Sequence, residues 1–440
     1  MEIEEHFMEA LDEIEVEETA GASRSERSHQ RYGAKNKFST DRFLGQGKRV
    51  SNVGIVPRYY GELLTWALQR YLEKEGWQVV QVLGYHGHEP VYIDVNTDVE
   101  QYENLLRDGQ MLVEKDASRL IITVDINLRW RNSILVEGLA KDEIDTDGFV
   151  HGVITLAKEL NLYRGKKIEL AGRLRFLNLK NRSMESIILD DITKKEIRAN
   201  TTGFLNKKAL WKKYGISSRR GLLLAGEPGT GKTIICKSLM AEATGLTCII
   251  TSAYYIDSDE YLTELYELAA ELSPSLVFIE DIDLIGQNRE EFGYQRGKAL
   301  LSLLAVLDGI EEKKEIVTVA TTNSIEILDK ALSQRPSRFD RVIKLSRPGY
   351  ALRRALVGRL CQIIPCDERL QEYIAHKTEG YTPAQVQEVI HSLVIENSSG
   401  ESAPDNFSEL DVDYILSRIN VRNCQKIGFS ISNNHQGNQP

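Results

Sequence analysis

Apolar positions repeat with a helical period from Tyr59 to Lys74, where Leu63, Leu64, Ala67, Leu68, Tyr71 and Leu72 share a face and Gly76 supplies a stop. Trp77 to Leu83 and Val91 to Val95 then read as strands. IITVDINLRW, within Leu120 to Trp130, continues in that manner, with Ile134 to Val136 placed to pair with it as a hairpin. Phe149 to Leu160 returns to the helical period, and strands are expected near Ile168–Leu170, Arg173–Leu177 and Ile187–Leu189. These segments predict an α+β module with a substantial antiparallel component. A different pattern follows. Leu222–Leu224, Leu246 to Thr251, Leu276–Ile279 and Ile316 to Ala320 are short, uninterrupted apolar runs, and helical segments such as Tyr261 to Leu272 separate them. The third run reads as a strand of a parallel sheet, buried on both faces. Four helical patterns close the chain as a bundle: Tyr350–Ile364, Arg369–Lys377, Pro383–Glu396 and Ser408–Ile419.

The expected division is an acidic segment and flexible linker over 1–42, an α+β domain over 43–198, an α/β subdomain over 199–348, a helical subdomain over 349–422 and a disordered tail over 423–440. Charge alters this picture at one place. The net charge of −10 is concentrated in residues 1–18, which hold nine acids and no base, so bulk charge argues neither for nor against nucleic acid. Ile3, Phe7, Leu11 and Ile14 recur at helical spacing there. A solvated helix is the plainer reading, and a docking helix for a partner or a neighbouring copy the sharper one. No apolar run approaches the ~20 residues of a membrane helix, and the N-terminus is unlike a signal peptide. The five cysteines lack zinc spacing and read as reduced thiols of a cytoplasmic protein.

Candidate chemistry starts at Leu222–Thr233, LLLAGEPGTGKT, a strand, a glycine-rich loop and the start of a helix, matching G-x-x-x-x-G-K-[ST]. Gly229 and Gly231 free backbone N–H groups to face phosphates, and the helix N-terminus adds positive potential. Lys232 would reach the outer phosphates, and Thr233 would hold Mg2+ through its hydroxyl. The expected nucleotide contacts are Gly226, Glu227, Pro228, Gly229, Thr230, Gly231, Lys232, Thr233 and Ile234. The run at Leu276–Ile279 delivers Glu280 and Asp281. One carboxylate is suited to Mg2+ and the next to orienting or deprotonating the attacking water. Asn323, at the end of another apolar strand, can reach a γ-phosphate or that water. Arg335 and Arg338, in RPSRFDR, supply guanidinium charge for a transferring phosphoryl group.

Other clusters have plainer explanations. His86 and His88 flank Gly87 without a further ligand set, as a surface turn would. Arg129, Trp130 and Arg131, with Arg173, Arg175, Phe176, Lys180 and Arg182, suggest a nucleic-acid face, although solvated strand edges explain them more cheaply. Lys207, Lys208, Lys212 and Lys213 surround Leu210, Trp211, Tyr214 and Ile216, apolar residues placed to pack near an adenine.

GEPGTGKT, LVFIEDID, ATTN, LDKALSQRPSRFDR and the later TEGYTPAQVQEVI, in this order, resemble the AAA+ ATPases, over about 200–420. The similarity is strongest to the clade with R-P-x-R-F-D-R. It implies a P-loop core with a parallel sheet and a helical lid, ATP and Mg2+ as ligands, and Asn323 as the first sensor. It further implies Arg335 and Arg338 acting in trans within a ring, usually a hexamer, and an approach of Gly380 to Ala384 to the ribose. Two departures stand out. The acidic pair is Glu280 then Asp281, the reverse of the usual order, as in the group similar to the mitochondrial Rieske-protein translocase; slow but working hydrolysis is expected. Tyr254-Tyr255-Ile256 occupies the translocation-loop position with Ile in place of Gly, so core packing and substrate gripping both remain open. The expected function is an ATP-driven ring motor that remodels or unfolds a protein client or drives an effector, such as a protease on another chain, since H-E-x-x-H is absent. The alternatives are a nucleic-acid-dependent ATPase and a nucleotide-gated assembly scaffold.

Overall fold

The computed structural model describes residues 40–85, 88–126, 132–171, 174–256, 258–284, 315–323, 339–398 and 406–424. Along the chain the elements are β1 (Arg49–Val56), α1 (Gly61–Glu75), β2 (Gln78–Leu83), β3 (Val91–Asp98), β4 (Gln101–Lys115), β5 (Ser118–Asp125), β6 (Asn132–Leu139), α2 (Thr146–Glu159), β7 (Lys167–Leu170) and β8 (Leu174–Phe176). Next come α3 (Asp191–Asn200), α4 (Thr202–Leu205), α5 (Lys208–Lys213), β9 (Arg220–Gly226), α6 (Lys232–Glu242), β10 (Thr247–Ser252), α7 (Asp259–Glu271), β11 (Ser275–Glu280), β12 (Ile316–Thr322) and β13 (Arg341–Leu345). The last four are helices: α8 (Tyr350–Leu360), α9 (Glu368–Lys377), α10 (Pro383–Asn397) and α11 (Glu409–Cys424). Among the described residues no helix is long and apolar enough to cross a membrane.

The chain forms two compact units. Of the described residues, the first takes in those within 40–178, 245–251 and 255–275, and the second those within 179–244, 252–254 and 276–424. In the first, an antiparallel sheet runs β1-β6-β5-β4-β2, with β3 also pairing β4. The expected hairpin is present as β5 and β6, with Ile122 opposite Val136. The apolar stripe of α1, including Leu63, Leu64, Ala67 and Leu68, is fully buried, each large side chain contributing roughly 1.5–3 kcal/mol relative to exposure. Tyr71 of α1 meets Phe149 of α2 edge to face, with centroids 4.9 Å apart. A helical turn over 40–44 sets Leu44 against Leu112, Ile121 and Leu139. Residues 187–189, expected as a strand, instead follow a 3-10 turn (Met184–Ser186) and lead into α3, which Asp190 caps by accepting from Thr193 N–H. That cap explains the difference, because Asp190 starts a helix where an extended run would have to continue.

In the same unit β7 pairs parallel with β10, joining a strand from 43–198 to one from 199–348. The 3-10 turn Arg58–Tyr60 packs on α7. Arg58 Nε donates to Glu264 Oε2 at 2.8 Å, both side chains largely buried, and Tyr59 meets Tyr261 edge to face at 5.6 Å. Tyr60 Oη and Asn161 Nδ2 both donate to the Glu271 carboxylate.

The second unit holds strands in the order β13-β9-β12-β11, with β9 parallel to both of its neighbours. Leu222–Leu224 and Leu276–Ile279 are buried as the uninterrupted runs require. The four closing helices enclose their own core of Val357, Ile374, Val386, Val389, Leu393 and Ile415.

Candidate nucleotide site

β9 ends at Gly226, and the chain turns through residues 227–231 into α6. Gly229 and Gly231 adopt φ of +84° and +96°, which lets a short loop turn back before the helix opens at Lys232. Lys232 is only 7% exposed. Its ammonium donates to Gly226 O at 2.7 Å, Glu227 O at 3.1 Å and Asn323 Oδ1 at 2.8 Å. Burial lowers its pKa, and the nearby Asp281 and Asp283 carboxylates work in the opposite direction. Thr233 and Ile234 stand exposed in the first turn of α6, as do Glu227, Pro228 and Gly229 in the loop.

Two further segments meet this lysine. β11 carries Glu280 to the sheet end, and Asp281 turns away with φ of +53°. Thr321 Oγ1 accepts from Asp281 N–H at 2.9 Å. Asn323 Nδ2 then donates to Asp281 Oδ1 at 3.1 Å, so one amide bridges Lys232 to Asp281. Asp283, to which the sequence motifs assign no role, accepts from Thr322 Oγ1 and from Asn323 N–H, both at 3.0 Å. Its sequence signal was its place as the last acid of EDID.

The donor set suits Mg2+. Thr233, Glu280 and Asp281 offer hard oxygens, and Mg2+ takes few protein ligands, completing its shell with water and phosphate oxygens.

The remaining candidates divide. Arg335 and Arg338 lie outside the described residues, as do His86, Gly87, Arg129, Trp130, Arg131 and Arg173. Tyr254 is 60% exposed, in a 3-10 turn after β10, and Tyr255 is also exposed, whereas Ile256 is buried at 4%. The tyrosines are therefore not core residues. Arg175 pairs with Glu169, and Phe176 is buried, so neither offers a free stacking platform. Trp211 stacks on Phe204 at 5.3 Å and donates to its carbonyl, while Leu210, Tyr214 and Ile216 are exposed.

Residues 222–347 match the family model described as "ATPase family associated with various cellular activities (AAA)". The chain is 35% identical over 190 residues to the cell division cycle protein 48 homolog of Archaeoglobus fulgidus, covering 42% of this chain and 26% of that protein. It is 32% identical over 195 residues to the proteasome-activating nucleotidase of Sulfurisphaera tokodaii, covering 42% and 50%. With the ATP-dependent zinc metalloprotease FtsH 2 of Sphaerobacter thermophilus it shares 32% identity over 209 residues, covering 46% and 32%. The chain thus spans half or less of the length of these curated relatives. A solved structure, "Structural Basis for Katanin Self-Assembly", aligns with TM-score 0.43 and 23% identity over 55% of this chain and 85% of that one. An AAA ATPase domain lies within the chain.

Proposed function

We propose that this chain hydrolyses ATP with Mg2+ as one subunit of a homo-oligomeric ring, a hexamer, and uses the cycle to remodel or unfold a protein client engaged by residues 43–198. The observation that carries the reading is the Lys232–Asn323–Asp281 chain, which brings three sequence-distant motifs to one point. Lys232 and the N–H groups of the glycine loop bind the phosphates. Thr233 and Glu280 would hold the Mg2+, which would supply charge that offsets that of the phosphates. Asp281 orients and deprotonates the attacking water, and Asn323, already hydrogen-bonded to Asp281, positions it against the γ-phosphate. Arg335 and Arg338 are assigned to the neighbouring subunit's pocket.

Names among the relatives, a proteasome-activating nucleotidase and an ATP-dependent metalloprotease, support a protein client over a nucleic acid. Exposed Tyr254 and Tyr255 supply aromatic grip of the kind a translocation loop needs. An effector, a protease on another chain among the options, is assigned to the acidic segment 1–18, and the setting is the cytoplasm. The test is turnover of Mg-ATP by the purified chain and by Asp281→Asn. The variant should retain ATP while losing about 10²-fold or more in turnover, and should capture client in that state. Unchanged turnover in Asp281→Asn would remove the assignment.

A further inference from the structure

One side chain reaches both the phosphate loop and the helical bundle. Arg347 lies in the short connection between β13 and α8. Its Nε and Nη2 donate to Glu227 Oε2 at 3.0 and 2.7 Å, while Nη1 donates to Gly380 O at 2.7 Å. Glu227 is the first loop residue after β9, and its carbonyl accepts from Thr230 Oγ1 at 2.8 Å and Lys232 Nζ at 3.1 Å. Gly380 precedes α10, and four residues on, Ala384 N–H donates to Gly229 O at 3.2 Å. Residues 380–384 therefore sit directly on the phosphate loop. A Cβ at Gly229 would come within 2.9 Å of Thr382 Oγ1 and 3.0 Å of Ala384 Cβ. The arginine fork reaches a carboxylate on the loop and a carbonyl in the bundle at once, which a lysine's compact charge does poorly.

We propose that Arg347 is a positioning residue that latches the bundle onto the phosphate loop through Glu227, and so limits how fast nucleotide leaves. The inference rests on the nucleotide reading of this site. With 380–384 seated on Gly229, release of a nucleotide held by the loop requires that seat to lift, and lifting it breaks the hold of Arg347 on Glu227 or on Gly380. The loop side of the latch is also tied to Lys232, because Glu227 offers its carboxylate to Arg347 and its carbonyl to the ammonium. When phosphate draws Lys232 away from Glu227 O, the latch residue feels the change through its own backbone. Both latch side chains are about half exposed, 51% for Arg347 and 56% for Glu227, so salt screens the pair and its effect is modest.

The test is release of a fluorescent ADP analogue from the full chain, followed by stopped flow for the wild type, Glu227→Gln, Arg347→Met and the double variant. Each single change should speed release about two- to fivefold. The double variant should be no faster than the faster single one, since both remove the same contact. Raising salt to about 0.5 M should speed release from the wild type and leave the variants nearly flat. Arg347→Lys, which keeps the charge and loses the fork, should fall between. Unfolding midpoints without nucleotide check that the variants fold, and if Arg347→Met does not, Glu227→Gln with the salt series decides. Wild-type release rates in both singles, or effects that multiply in the double variant, would overturn the latch. A wild-type chain that binds no ADP analogue would instead overturn the nucleotide reading itself.

Discussion

Asp283 shows how much a single acid can do without touching a ligand. Its Oδ1 receives both the Thr322 hydroxyl and the Asn323 N–H, so it fixes the strand end from which the Asn323 amide reaches Lys232 and Asp281. Thr322 is fully buried, and Asp283→Ala removes an acceptor that both its hydroxyl and the Asn323 N–H use. We therefore expect Asp283→Ala to lower ATP turnover by about tenfold or more while ADP affinity, governed by the glycine loop and Lys232, changes little. Turnover and equilibrium ADP titration on the same preparation separate the two effects. The backbone adds a reason for an aspartate at 281. With φ at +53° the residue is left-handed, a region that Asp enters more readily than Glu, and Thr321 Oγ1 holds its N–H there. The acids and the amide were legible in the sequence because each ends an uninterrupted apolar run. Their mutual hydrogen bonds were not, because the side-chain geometry that makes Asp283 a support leaves no periodic trace.

At the scale of elements, legibility tracked the strength of the period. α1 and the four closing helices carry clear apolar stripes, and the structure places them within a few residues of expectation. No strand is expected from the sequence pattern at β1 or β4. In β4 the Asp108-Gly109 pair has the form of a turn signal, yet the strand runs through it. Glycine is needed there for close approach, since a Cβ would lie 2.8 Å from Leu83 O of β2. In β1, Val53 and Ile55 face solvent while Gly54 faces α2, which inverts the usual alternation. The contact of the Arg58–Tyr60 turn with α7 was equally invisible, because it joins residues some 200 positions apart. Its ion pair yields a prediction. Burial raises the pKa of Glu264, against the opposing pull of Arg58. Arg58→Met would leave that carboxylate largely buried without its cation, at about 3–5 kcal/mol near neutral pH. A carboxyl with a raised pKa is favoured in its protonated form, so the deficit should be full above the variant's folded pKa and shrink as pH falls through it. Urea unfolding of wild type and variant near pH 7 and near pH 5 checks both the size and the sign. An equal deficit at both values would assign the loss to something other than the unpaired charge.

For the whole molecule, the question is whether one chain can complete its own pocket. Lys232, Glu280, Asp281 and Asn323 belong to one compact unit, and the Asn323 amide hydrogen-bonds both Lys232 and Asp281. Phosphoryl transfer in such a pocket needs additional positive charge opposite the γ-phosphate. Arg335 and Arg338 are the proposed source, delivered by the next copy, and a head-to-tail interface of that kind forms a ring when its rotation closes. The arrangement makes complementation possible. Lys232→Ala subunits cannot bind phosphate but still carry both arginines. Arg335→Ala/Arg338→Ala subunits bind ATP but lend no charge. Each preparation alone should be nearly inactive. In an equal mixture with free exchange, about a quarter of the junctions unite an intact loop with intact arginines, and activity should recover to that level at most. Recovery should also disappear on dilution, as subunits separate. A mixture that demonstrably exchanges subunits yet stays as inactive as its parents would mean that the arginines and the loop serve the same pocket within one chain, and the ring would then lose its catalytic reason.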